Sequence, residues 1–474
     1  MSLVSAFARA ARTKRGAAGL SAAPTLAQRL VRGSSWAFLG RTLALPAGML
    51  QAIVLARLLT PTELGTYFLA LSFAGLAAII AQIGLGRTMV LLVASAVATD
   101  RPQAARHAIR VAFVTTCITG ALAALAVSDG PGRWIARLLE DAAGLQAVLG
   151  TVALLLLALA LLDLLAETFR GFHDLRWASL FGDQLLHRIT LVACLGAVWW
   201  SAWTVDLERV MLIALGSATV VLLAGFLVLR RRLAGLPRRG AAWPTGTVLR
   251  HGPPFLFVRL NIWMLAGADL WILGMFRPAE EIAIYGVASR MALIVGTPLV
   301  VANAALAPMI AELHSLGQRE RLERLVRAAA TLSALPSFLA VVLYLAAGGP
   351  LLALVFTEDY ARGFPVLILL ALGQWLHVCL GSCGISLTMT GNQRDVMRIS
   401  ILSGVLTVLG FVAVAGPFGM VGIGAVAAAS ITLYNAALAW QARRRVGIRS
   451  WATASPATVR AYAGELLQAL RARR

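Results

Sequence analysis

Apolar runs of about 20 residues, the length a helix needs to cross the hydrocarbon core of a bilayer, recur along nearly the whole of this 474-residue chain. Inside lipid every backbone donor and acceptor must be satisfied by the protein itself, so repeated runs of this length leave bundled α-helices as the fold. Composition agrees: 59% of residues are hydrophobic and 13% charged, where an ordinary soluble domain carries about 25% charge. Spans are expected near residues 34–58, 65–93, 110–127, 145–167, 179–200 and 208–229. A second set falls near 254–276, 282–310, 328–347, 364–389, 396–415 and 420–441. The chain therefore reads as an all-α polytopic membrane protein of about 12 transmembrane helices.

Two of these stretches resemble each other. Residues 55–76 read LARLLTPTELGTYFLALSFAGL, and residues 273–294 read LGMFRPAEEIAIYGVASRMALI. Pro278, Glu280/Glu281 and Tyr285 stand where Pro61, Glu63 and Tyr67 stood, with one residue inserted. Proline starts a helix readily because the first-turn amides need no intrahelical partner. A hairpin repeated at this separation predicts two halves of one design, 34–229 and 253–441, each of six helices.

The net charge of +21 is explained by topology and not by nucleic acid, because the charges sit in short loops between the spans. The arm 1–33, the loops 94–110, 168–178, 230–252, 311–327 and 391–398, and the tail 442–474 hold 31 basic residues between them. The alternate loops hold five: Arg133, Arg137, Arg209, Arg277 and Arg362. Basic loops stay in the cytosol, so both termini are expected there. Residues 230–252 form the basic cytosolic linker between the halves. An even number of helices per half makes the two repeats point the same way through the membrane. The arm 1–33 lacks a continuous apolar core before a cleavage site and reads as a basic cytosolic segment. In the tail, Val459, Tyr462, Leu466, Leu467 and Leu470 fall toward one face ahead of terminal arginines, the pattern of a helix lying on anionic lipid. The four cysteines lie inside apolar spans, with neither a disulfide framework nor zinc spacing.

The hairpin with the following QIGLGR, then ETFRGFHDLRWASL, ADLWILGMFRPAEEIAIYGVASRMA, FTEDYARGFPVLILLALG and FGMVGIGAVAAA, run in order along nearly the full chain. In this series the chain resembles the polysaccharide transporters, Wzx-type flippases of lipid-linked oligosaccharides in the multidrug/oligosaccharidyl-lipid/polysaccharide exporter superfamily. The resemblance implies two six-helix bundles around a central cavity of alternating access. The implied substrate is an undecaprenyl-pyrophosphate-linked oligosaccharide, the repeat unit of an O-antigen, exopolysaccharide or capsule, moved from the inner to the outer leaflet. It also implies a bacterial cell inner membrane, lipopolysaccharide or exopolysaccharide biosynthesis as context, and a polysaccharide polymerase and chain-length regulator as partners. No cofactor, metal or catalytic residue is implied.

Six arginines lie within or at the ends of spans. Charges there are costly, about 2.5–3.5 kcal/mol each on insertion scales, so they face a cavity or a partner. A guanidinium pairs bidentately with phosphate, which suits a diphosphate headgroup. Arg57 and Arg87 are near span ends and can snorkel to an interface. Arg41, Arg188 and Arg290 are deeper and are the stronger substrate-binding candidates. Arg259, about 8 Å into its span at the helical rise, is a further one, as are Gln51 and Asn261. Gln82 and Asn303 could face sugar hydroxyls or bond between helices. Asp269 and Arg290 fall at similar depth below the second hairpin turn and are expected to pair. Asp163 with Glu167, and Asp183 with His187, could form a carboxylate–histidine cluster that couples transport to an ion or acts as a gate. The alternative for these carboxylates is pairing with Arg170, Arg176 and Arg188.

Two other functions compete. A drug/cation antiporter of the same superfamily needs acidic residues in its cavity, whereas the deep positions here lean to arginine. A membrane polymerase or ligase needs acid–base groups on a sizeable loop, yet loops 128–144 and 348–363 are short and lack histidine. No phosphate-cradling G-x-x-x-x-G-K-[ST] loop is present, so ATP hydrolysis is not expected of this chain.

Overall fold

The structure, a computed structural model, describes residues 26–137, 142–200, 205–235 and 243–453. The amphipathic tail, most of the N-terminal arm and the middle of the linker lie outside the described residues. The long helices are α1 (Leu26–Leu58), α2 (Pro61–Ala81), α3 (Leu85–Ala98), α4 (Pro102–Ser128), α5 (Ala142–Gly171), α6 (Leu185–Trp200) and α7 (Leu207–Ala234). The second half contributes α8 (Gly252–Phe276), α9 (Ala279–Ser315), α10 (Arg319–Val355), α11 (Phe364–Leu380) and α12 (Gln393–Arg445).

The protein is an all-α polytopic membrane protein. Eight of the described helices are long and apolar enough to cross a bilayer, and every expected span falls on helix. Three expected spans are broken. The one near 65–93 is α2 and α3 joined by a turn at 82–84, and the one near 179–200 begins in the short helix Leu175–Phe181, which a 3₁₀ turn connects to α6. The one near 364–389 is α11 followed, after a break at Gly381, by the short helix Cys383–Met389. Helix α1 begins at Leu26, ahead of the expected start at 34.

The last two spans run together as α12. Its 53 residues would extend about 80 Å at the helical rise, far more than a 30 Å hydrocarbon core. Gly419 breaks it, with φ 53° and ψ −143°, a conformation only glycine adopts without strain. Carbonyls freed at this break are taken by Arg277, which donates to Ala415 and Gly416 at 3.3 and 2.6 Å. Glu281 accepts the amide of Met420 at 3.2 Å. A hairpin with almost no loop is thus held by a guanidinium and a carboxylate from the α8–α9 turn.

In the first half, α5 is the central helix, packed against α2, α3, α4 and α7. Leu155, Leu156, Leu164 and Leu165 are fully buried there, while Leu122 and Leu125 of α4 point outward to lipid. The second half packs α9 against α10 and α11, and α11 against α12. The halves meet where α2 runs along α9 and where α8 lies on α2 and α3.

The two hairpins confirm the repeat and correct its register. Thr60 caps α2 and Pro278 caps α9, both at φ −63° and ψ 158°. Pro278 therefore stands at the position of Thr60, not of Pro61. Glu63 closes a capping box on Thr60. A proline cap has no hydroxyl to offer, and Glu281 turns instead to α12.

Candidate functional site

Sixteen residues before each hairpin tyrosine lies its hydrogen-bond partner. Gln51 on α1 donates to the Tyr67 hydroxyl at 3.0 Å, and the Tyr285 hydroxyl donates to Asp269 of α8 at 2.8 Å. Both rings are buried. Equivalent tyrosines thus tie the first and second helices of each half. Between the halves, Phe68 fills the space over Gly286, and Gly65 lies so close to Ala279 that a methyl group would overlap its carbonyl.

Below this contact lies a cavity of about 750 Å³ between α1, α6 and α9. Its walls include Gln51, His187, Arg188, Asp269 and Arg290. Arg188 comes from the first half and donates to the Ala44 carbonyl at 3.3 Å. It crosses Gly48, where a methyl would sit 2.7 Å from its Nη1. Arg290 comes from the second half. Its guanidinium lies 3.8 Å from the centre of the Phe68 ring and donates to its own helix at Gly286, 2.8 Å away. Ring face and backbone oxygen hold the charge in place without neutralising it. His187 is hydrogen-bonded to Ser217 of α7 at 3.0 Å.

The pairing expected between Asp269 and Arg290 is not formed. Both carboxylate oxygens are engaged, Oδ2 by Tyr285 and Oδ1 by the Leu270 amide at 2.9 Å. Similar depth puts the two residues near each other, but the rotation of each helix gives the carboxylate to tyrosine and the guanidinium to the phenyl ring. The side chains of Arg41 and Asp183 lie outside the described residues.

Arg259 and Asp163 stand elsewhere. They form an ion pair at 2.5 Å between α8 and α5, and Gln82 donates to the same carboxylate oxygen at 3.0 Å. Glu167 pairs with Arg170. Asp163 and His187 share no hydrogen bond or ion pair among the described residues. Asn261 does not line the cavity that holds Arg188 and Arg290, and Asn303 accepts from Ser382 at 2.5 Å. Arg87 is exposed, and Arg57 reaches across to the C-terminal carbonyls of α10 at Leu354 and Val355.

Because the Arg259–Asp163 pair joins the two halves, changing Asp163→Asn should lower the melting temperature of the purified protein. In a double-mutant cycle with Arg259→Leu, an interaction of about 0.5–3 kcal/mol is expected, the range for residues in contact. Additive effects would mean that the pair is a solvated contact.

A second cavity of about 480 Å³ lies between α9, α11 and α12 and shares Asp269 and Ser289 with the first. Gln374, His377, Tyr434 and Asn435 line it. None of the four is among the candidates singled out from the sequence, which are arginines, acids, one histidine and a few amides. Their signal was present: Gln374 and His377 interrupt an otherwise apolar run, and polar residues inside spans face partners or cavities.

The sequence pattern of the family described as "Polysaccharide biosynthesis protein" matches residues 30–314, and that described as MatE matches residues 254–414. Among curated proteins none matches. In fold, the chain is similar to an inward-facing multidrug resistance MATE family transporter of the MOP superfamily, with TM-score 0.66 and 14% identity, over 85% of this chain and 94% of that one. It is also similar to the lipid II flippase MurJ in an inward closed conformation, with TM-score 0.68 and 11% identity, over 87% of each chain. A MOP superfamily transporter from Pyrococcus furiosus, whose binding pocket is described as reversed in polarity, aligns with TM-score 0.57 and 13% identity over 89% of this chain and 96% of that one.

Proposed function

We propose that this chain, which belongs to the polysaccharide biosynthesis protein family and is a transporter of the MOP superfamily rather than an enzyme, moves a lipid-linked oligosaccharide from the inner to the outer leaflet of the bacterial cell inner membrane. The observation that carries this reading is the placement of Arg188 and Arg290, one from each half, on the wall of a single cavity. Two like charges within a membrane protein repel and are poorly solvated, and an anion between them relieves both costs. A polyprenyl diphosphate supplies such an anion on a lipid. Its binding would draw on both halves at once, the condition for coupling it to their relative motion. The arginine bias of the loops supports an orientation with both termini in the cytosol and the Thr60–Glu63 turn outside. The Gly65–Ala279 contact then closes the outward end.

A second reading, export of cationic drugs, is favoured by Asp269, an acid shared by both cavities. One strain separates the two. With the gene deleted, the flippase reading expects complete lipid-linked repeat units to accumulate in the cytosolic leaflet and surface polysaccharide to be lost. Unchanged surface polysaccharide with increased drug sensitivity would establish the second reading instead. Units already outside but unpolymerised would overturn both.

A further inference from the structure

The second cavity differs from the first in chemistry. Among the described residues no arginine or lysine lines it, and the one charged group there, Asp269, already accepts from Tyr285 and the Leu270 amide. What remains is uncharged, a few polar side chains set among apolar ones such as Leu293, Leu370 and Ile431. The Gln374 amide and the Ser430 hydroxyl make no hydrogen bond among the described residues and border the cavity. His377 lines it as well, and its Nδ1 is buried without a partner. A buried polar atom left unpaired is costly and rare in native proteins. The fold also makes room for this group: Gly296 of α9 lies under Gln374, and a methyl there would come within 2.8 Å of Oε1. Phe411 adds an aromatic ring to the wall.

Amides, hydroxyls and an imidazole offer donors and acceptors without net charge. An anion finds no cation here, and a prenyl chain would leave these polar groups unpaired. An uncharged sugar matches them, since its hydroxyls both donate and accept while its ring carbons lie against apolar walls. We propose that the second cavity binds an uncharged sugar residue of the substrate, next to the diphosphate held by Arg188 and Arg290. This rests on the flippase reading, because the two cavities meet at Asp269 and Ser289, so diphosphate and sugar would occupy adjoining chambers.

The test uses two probes on the full-length protein in phosphatidylcholine nanodiscs. One is undecaprenyl diphosphate, and the other is the lipid-linked oligosaccharide extracted from the strain lacking this protein. The wild type should bind the sugar-bearing lipid about tenfold or more tighter, which two net hydrogen bonds would supply. Gln374→Leu and His377→Leu should each remove about fivefold of that preference, with undecaprenyl diphosphate bound as before, which also reports that the variants are folded. If either variant does not fold, Ser430→Ala, the loss of one oxygen, takes its place. Equal binding of both lipids by the wild type would overturn the sugar chamber and leave the flippase reading standing. Variants that keep the preference, or that weaken both lipids alike, would also overturn it. Binding of neither lipid by the wild type would defeat the flippase reading itself.

Discussion

Changing Arg290→Ala is expected to abolish surface polysaccharide while leaving the protein in the membrane. Hydrogen bonds to a charged group contribute about 1.5–3 kcal/mol, so losing one phosphate contact should weaken substrate binding roughly 10- to 150-fold. The surroundings make this site sensitive. The Phe68 ring and the Gly286 carbonyl aim the guanidinium and leave its remaining donors for a ligand. Arg290→Lys should restore activity only in part, because lysine keeps the charge but loses the planar fork that engages two phosphate oxygens. Arg188→Ala, on the facing wall, should act in the same direction. Surface polysaccharide assayed beside membrane protein level separates loss of transport from loss of the protein. Normal polysaccharide in both alanine variants would remove the anion site from the mechanism.

The second large effect is expected at the contact between the halves. Gly65→Ala places a methyl against the Ala279 carbonyl, and backbone on a helix cannot swing aside as a side chain can. Helices α2 and α9 must separate there, at a cost of about 1–3 kcal/mol, as for other overpacked interiors. Gly75 supplies the control. It lies on the same helix, yet a methyl there would meet nothing within 4 Å, so Gly75→Ala should be neutral or slightly stabilising through helix propensity. Melting of the two purified variants in one detergent checks the pair. A melting temperature for Gly65→Ala equal to that of Gly75→Ala would show that the contact yields without cost. If the contact forms and parts during transport, Gly65→Ala should also slow the export of polysaccharide.

The expected spans, the halves and the repeated hairpin were legible because of one physical restriction. A segment crossing lipid must satisfy its own backbone, so it must be helical, apolar and about 20 residues long. Even the break at Gly419 fell between two expected spans, although the nearly absent loop there depends on Arg277 and Glu281 reaching it from another hairpin.

Depth could also be read, since each residue adds 1.5 Å along a helix. Direction about the helix axis could not. Asp269 and Arg290 share a depth, yet one bonds to Tyr285 and the other stacks on Phe68 of the opposite half. Arg259 looked like a ligand for substrate by its place in a span, and packing of α8 on the first half gave it Asp163. Gln374 and His377 became a polar wall only when α11 turned them toward α9 and α12. Where the chain crosses the membrane as helix follows from solvation of the backbone, which is local to each segment. Which charge meets a partner and which meets an open cavity follows from how the helices are rotated against one another, and only the packed structure decides that.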